Sequence, residues 1–158
     1  VFTPLSMIAS SYQWRKDYED VISNSYGDSA DKYEVNQEAQ TGYAAWSLYT
    51  TPEDYSKFVT HIMSSSKEIG SIASQLLTPT VNVAKGVKWG VGWGIQDTTP
   101  NESFWHWGSK AGFKHFVVAY PVEKVAVIVM TNSRKSFQIV DDIMAISIGG
   151  SYPSYDWF

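Results

Sequence analysis

The hydrophobic positions of this chain change period once, near Lys85. Upstream, Tyr55, Phe58, Val59, Ile62 and Met63 recur at i, i+3, i+4, i+7 and i+8, which is one buried face of a helix. The start of that helix is marked as well. Thr51 can cap it, Pro52 suits the first helical position, and Asp54 stands at the acidic position of a capping box. The spacing predicts a helix from Thr51 to about Ser65, and a shorter one from Ser71 to Leu77 stopped by Thr78-Pro79. Downstream the period is two. Strands are predicted over Val87 to Gln96, Glu102 to Ser109, Lys114 to Tyr120 and Val125 to Thr131. The last is apolar on both faces, which implies a central strand covered on both sides. A closing helix from about Ser136 to Ile148 gathers Phe137, Val140, Ile143 and Met144, and Gly149-Gly150 ends it.

Residues 1–50 show no sustained period. They read as an irregular segment with short helical pieces, of the kind that lies across another element. The chain is therefore divided as one partial domain. It has an irregular segment (1–50), helices (51–84), strands (85–133), a closing helix (134–150) and a tail (151–158). Connections this short make neighbouring strands antiparallel. The expected class is α+β, an antiparallel sheet of about four strands flanked by helices.

Composition narrows the functions. Aromatic residues make up 15% of the 158 residues, with seven Trp and ten Tyr, which favours β-structure and a recessed apolar site. Net charge is −4 without a cluster of Lys or Arg, so a nucleic-acid partner is not expected. With no Cys there is no disulfide, thiolate metal site or Cys nucleophile. No His/Asp/Glu set has metal-ligand spacing, and Gly90-x-Gly92-x-Gly94 lacks the spacing of a dinucleotide loop, so no metal or cofactor is expected. The longest apolar run, Val125 to Met130, is too short to span a bilayer.

Three histidines are available. His61 lies within a helix and His115 starts a strand, and both read as structural. His106 stands in an aromatic strand beside Gly108, where a ligand or backbone could approach closely. Its surroundings form an ordered set. Trp105-His106-Trp107-Gly108-Ser109 precedes Gly112-Phe113, then a strand ending in Tyr120-Pro121, then Val125 to Met130 running into Thr131-Asn132-Ser133. Upstream lie Phe2-Thr3-Pro4-Leu5-Ser6-Met7, Thr41 to Tyr55, and Trp89-Gly90-Val91-Gly92-Trp93. Together these resemble the serine β-lactamase-like family, which includes class C β-lactamases, DD-peptidases and related esterases. Ser6 departs from the usual Gly of its element.

The resemblance implies acyl transfer through a serine ester. His106 and Gly108 would be the His-x-Gly strand, Ser109 would give a backbone N–H to the oxyanion hole, and Gly108 and Trp107 would contact substrate. His in place of Lys favours the esterase and peptidase relatives. The Ser-x-x-Lys and Tyr-x-Asn elements would lie before Val1. Ser64-Ser65-Ser66-Lys67 has the first spacing but closes a helix, so no nucleophile is assigned here and the chain alone is expected to be inactive. The implied partner is a small acyl or peptide substrate of the longer parent, outside the cytoplasm. A non-catalytic ligand-binding or sensor module of the same fold is the alternative, and an unrelated structural domain a third possibility. In the family the last strand pairs with N-terminal strands, so residues 125–131 should present an open edge to a second copy or companion fragment.

Overall fold

A computed structural model describes residues 1–29, 31–32, 39–97, 101–150 and 152–156. The capped helix forms as α1 (Pro52–Ser65): Thr51 is extended, and its Oγ1 accepts the Asp54 N–H at 3.2 Å. Ser71 caps α2 (Ile72–Leu76) in the same way, at 3.0 Å from the Ser74 nitrogen. Six strands follow, β1 (Val81–Ala84), β2 (Val87–Trp89), β3 (Gly94–Gln96), β4 (Ser103–Lys110), β5 (Phe113–Tyr120) and β6 (Val125–Thr131). They pair in chain order as one antiparallel meander. A 3-10 turn at Ser136–Ile139 leads into α3 (Val140–Ser147), and another at Pro153–Asp156 lies in the tail. The class is α+β.

The expectation of about four strands is corrected to six. Residues 81–84, placed among the helices, form β1 against β2. The single strand expected over 87–96 is two. It breaks because the chain turns back on itself, the Gly90 N–H donating to the Trp93 carbonyl at 2.8 Å, with the end of α2 pressed against the turn. A Cβ on Gly90 would sit 2.3 Å from the Leu76 carbonyl oxygen. The last strand was expected to be central. β6 instead closes the sheet, with β5 as its strand neighbour and the other edge unpaired among the described residues.

The sheet buries both faces by alternation. On one face Trp105, Phe116, Val118 and Val129 pack against Val140 and Met144 of α3. On the other, Phe104, Val117 and Ala119 meet Val59 and Ile62 of α1. The tail is pinned to the first face by Gln96, whose Oε1 accepts the Ser154 N–H at 3.0 Å. The N-terminal segment does lie across other elements. Asp54 of α1 is buried, and its Oδ2 accepts the Ala9 N–H (2.8 Å) and the Ser10 hydroxyl (2.9 Å), while Lys57 donates to Oδ1 at 2.7 Å. Burial alone would raise the Asp54 pKa. The bonds from Lys57, Ser10 and Ala9 outweigh it and hold the carboxyl below its ordinary range.

Candidate functional site

The strand that carries His106 is accompanied unequally on its two sides. β5 pairs with β4 from Phe104 to Lys110, whereas β3 stops at the Gly94–Trp105 pair. From His106 to Lys110 the β3-side edge of β4 therefore has no strand partner among the described residues. The early stop follows from the Gly90–Trp93 turn, which ends β3's reach along β4. This open edge borders a cleft of about 740 Å³, lined by residues 106–110 of β4, His115 of β5, and Trp46 and Leu48 of the N-terminal segment.

Alternation assigns the faces. His106, Gly108 and Lys110 share the α1 side of β4, and Trp107 and Ser109 share the α3 side. His106 Nδ1 lies 2.6 Å from the Trp107 carbonyl oxygen. A carbonyl can only accept, so Nδ1 carries a proton, and in the neutral ring Nε2 then has the lone pair. The ring is held edge-on to Trp89 and Trp93, with centroids 5.7 and 6.1 Å away. Gly108 faces open space: a Cβ built there meets nothing within 4 Å. Trp107 packs edge-on against Phe137 at 5.9 Å. Ser109 is exposed, and its hydroxyl accepts from Lys114 Nζ at 2.5 Å.

Sequence reading missed three neighbours. His115, read as structural, lies directly across from Gly108 and lines the same cleft. The Thr131 N–H donates to its Nδ1 at 3.3 Å, which places the proton of the neutral ring on Nε2. Burial pushes its pKa below the ordinary 6.5, against a weaker opposing backbone bond. In their neutral forms the two cleft imidazoles are thus opposite tautomers. Lys110 also lines the cleft, its ammonium 3.7 Å from the centre of the Trp46 ring, and burial pushes its pKa down. Lys114 is the third.

The signal that places these neighbours is the turn. Ala111 and Gly112 both have positive φ (46° and 86°), the pattern of a two-residue type I′ hairpin. Such a turn fixes the register, so Ser109 must face Lys114 and Gly108 must face His115. The other candidates lie elsewhere. His61 is exposed on α1, and Ser64 Oγ is tied to the His61 carbonyl at 3.0 Å near the end of that helix. Neither Ser64 nor Lys67 lines the cleft. Among the described residues no His/Cys/Asp/Glu group is arranged to hold a metal ion, and no helix is long and apolar enough to cross a membrane.

Comparison with known proteins converges on one family. The sequence profile described as Beta-lactamase matches residues 1–148. Among solved structures, a class C beta-lactamase superposes with a TM-score of 0.73 at 16% identity, over 96% of this chain and 50% of that one. The octameric penicillin-binding protein homologue from Pyrococcus abyssi gives 0.70 at 18% identity, covering 92% and 35%. A penicillin-binding protein from Bacillus halodurans gives 0.68 at 20%, covering 92% and 46%. At these identities the structures speak for the fold. This chain spans at most half the length of each. No curated protein sequence matches.

Proposed function

This chain belongs to the beta-lactamase family, and from that we propose that the longer protein carrying it is a serine hydrolase working through an acyl-enzyme. The observation that supports this most is the unpaired edge of β4 at His106–Lys110, beside a cleft that is empty in front of Gly108. An acyl or peptide substrate can lie along that edge as an added strand. Its carbonyl oxygen would take the Ser109 N–H as one of two oxyanion donors, the second coming from the nucleophile's own backbone. In the neutral ring, the His106 Nε2 lone pair would accept a hydrogen bond at the edge of the site.

The nucleophile belongs to the part of the protein outside this chain. Its serine oxygen would bond to the acyl carbon, the leaving group would depart with the serine's proton, and water would then release the acid. The chain alone supplies a wall of the site and would be inactive. The free edge of β6 would pair with a strand from the remainder of the protein, or with a second copy when that remainder is missing.

The test is labelling of the full-length protein with a fluorescent penicillin and a fluorophosphonate, followed by intact mass and peptide mapping. A single adduct on a serine outside residues 1–158, absent when this chain is treated alone, is the expected result. An adduct on a serine within this chain, or none on the full-length protein, overturns the proposal. The second outcome would favour a non-catalytic binding module.

A further inference from the structure

The unpaired edge of β4 is bridged at one end. Lys110 is its last residue, and the ammonium stands 3.7 Å from the centre of the Trp46 ring. Both residues line the cleft, Lys110 from β4 and Trp46 from the N-terminal segment, so the contact joins two of its walls. One jaw is rigid. Ser47 is buried, and its hydroxyl accepts the Tyr43 N–H at 2.7 Å and donates to the Tyr12 carbonyl at 2.7 Å, which fixes the turn that carries Trp46. Tyr43 stacks on the indole, with centroids 4.9 Å apart and planes 16° from parallel. Just beyond, Tyr49 and Ser11 exchange backbone bonds of 2.8 and 3.0 Å. The other jaw is a flexible four-carbon stem. Among the described residues Lys110 makes no ion pair, so the indole is what holds its charge. Burial lowers the Lys110 pKa, which marks the ammonium as partly desolvated, and desolvation strengthens attraction to a ring face.

We propose that Lys110 and Trp46 form a clasp that bars the turn end of the β4 edge, so that the site takes compact acyl groups as it stands and extended peptides only when the clasp opens. This rests on reading that edge as the acyl-binding strand. A strand advances about 3.3 Å per residue, so the edge from His106 to Lys110 spans roughly 13 Å. A compact acyl group at Gly108 and Ser109 uses part of that length and leaves the clasp alone. A peptide paired along the whole edge meets the bridge at Lys110, because the bridging side chains stand between the walls it must pass. Opening needs no backbone movement: the lysine stem swings off the ring and the ammonium returns to water. A cation–ring contact at a partly exposed site shifts an equilibrium by about two- to five-fold. The clasp is thus closed in most molecules, and a ligand that must open it binds more weakly by that factor. The indole is braced by Tyr43 and Ser47, so the lysine is the moving part. The role of the pair is selection by length, and the acyl chemistry is left to other groups.

The experiment is an NMR titration of the full-length protein with two unreactive neutral probes, N-acetylalanine N-methylamide and N-acetyltetraalanine N-methylamide. It is run on the wild type, Lys110→Met, Lys110→Arg and Trp46→Leu. Protons held over an aromatic face resonate upfield, so the Lys110 side-chain methylenes report the closed clasp directly. In the wild type they should lie upfield, stay there when the compact probe shifts the Ser109 amide, and move back when the extended probe binds. Lys110→Met keeps the stem and removes the charge. It should tighten the extended probe about four-fold and leave the compact one within about 1.5-fold. Trp46→Leu should tighten the extended probe in the same way, whereas Lys110→Arg, which keeps a cation on the ring, should match the wild type. Ordinary methylene positions in the wild type, equal changes for both probes, or an extended probe that binds without moving the Lys110 resonances overturns the clasp. So does a failure of both probes to shift the β4 amides. Because the readout is binding, it is separate from labelling. A protein that shows the clasp but takes no covalent label loses the hydrolase reading and keeps this one, and a labelled protein without the clasp does the reverse.

Discussion

Two glycines of the same sheet separate a folding requirement from a functional one. Gly94 of β3 sits against the indole of Trp105. A Cβ there would lie 2.3, 2.6 and 2.7 Å from three ring atoms, far inside contact. Trp105 is fully buried between Trp89 and Phe116, at ring distances of 5.5 and 6.3 Å, and has no room to retreat. Gly94→Ala should therefore cost about 1–3 kcal/mol by overpacking. That is roughly 3–10 °C in melting temperature for a chain of this size. Gly108 is the opposite case. Its φ is not positive, and nothing lies within 4 Å of the added methyl. Gly108→Ala should leave the stability of this chain unchanged or raise it by up to about 1 kcal/mol, because alanine restricts the unfolded state. In the full-length protein the same methyl intrudes where an acyl group would lie, and acylation should slow by roughly 10- to 100-fold. The assays are urea and thermal unfolding of the two variants, and the rate of fluorescent-penicillin labelling of the full-length Gly108→Ala protein. Wild-type labelling by Gly108→Ala would show that the space in front of Gly108 is not the acyl position. A fall in the melting temperature of that variant would show that the space is not empty.

Asp54→Ala should destabilise the chain by about 2–4 kcal/mol, since it orphans the Ala9 N–H, the Ser10 hydroxyl and Lys57 around a buried position; hydrogen exchange should show residues 7–11 opening first, and protection there equal to wild type would contradict the tether. Because its folded pKa is lowered, the wild-type contribution of Asp54 is present above the ordinary 3.8 and lost as pH falls through the folded value, so the Asp54→Ala curve should be flatter in acid. His115 is also depressed: its contribution is full above 6.5 and is lost as pH falls below that toward the folded pKa. The urea midpoint of the wild type should drop on going from about pH 7 to pH 5, and His115→Gln should remove part of that slope. For β6, sedimentation of this chain alone should show self-association that Val125→Lys reduces, since Val125 is 40% exposed on the strand whose outer edge has no strand partner among the described residues; a wild-type chain that stays monomeric at high concentration would count against the edge as an interface.

What could be read from the sequence was what local chemistry decides. α1 was legible because its cap, its Pro and its apolar stripe all lie within fifteen residues and depend on nothing outside them. The later strands β4, β5 and β6 were legible because runs of seven or eight residues rich in aromatic and β-branched side chains, bounded by turns, suffice to define a strand. β1, β2 and β3 were not. At three or four residues each they carry too little pattern, and the break between β2 and β3 is set by the carbonyl of Leu76, which the sequence cannot bring near Gly90. Residues 1–50 showed only that they carry no period of their own: the described part of the segment is held by a buried carboxylate on α1 and by Asn132, whose carbonyl accepts the Tyr26 N–H at 2.8 Å. β6 misled by composition. Apolarity on both faces reported the helices packed on either side of the sheet and said nothing about its lateral neighbour.

The site shows the same division, with one consequence for how its chemistry is distributed. His106, Trp107, Gly108 and Ser109 could be named because they are consecutive. Their partners could not, because the turn that places them is defined by its backbone: positive φ at Ala111 and Gly112 closes a two-residue loop, and that loop forces Ser109 opposite Lys114 and Gly108 opposite His115. Gly112 has a second reason to lack a side chain, since a Cβ would lie 2.9 Å from the Tyr26 carbonyl oxygen of the N-terminal segment. The hairpin is thus braced from outside at the residue that sets its register. Because side chains alternate, a slip of one position would exchange the faces and send Lys114 into the cleft and His115 away from it. The separation of a neutral imidazole beside Gly108 from an ammonium beside Ser109 is therefore a property of the turn, and only secondarily of the strands that carry the groups.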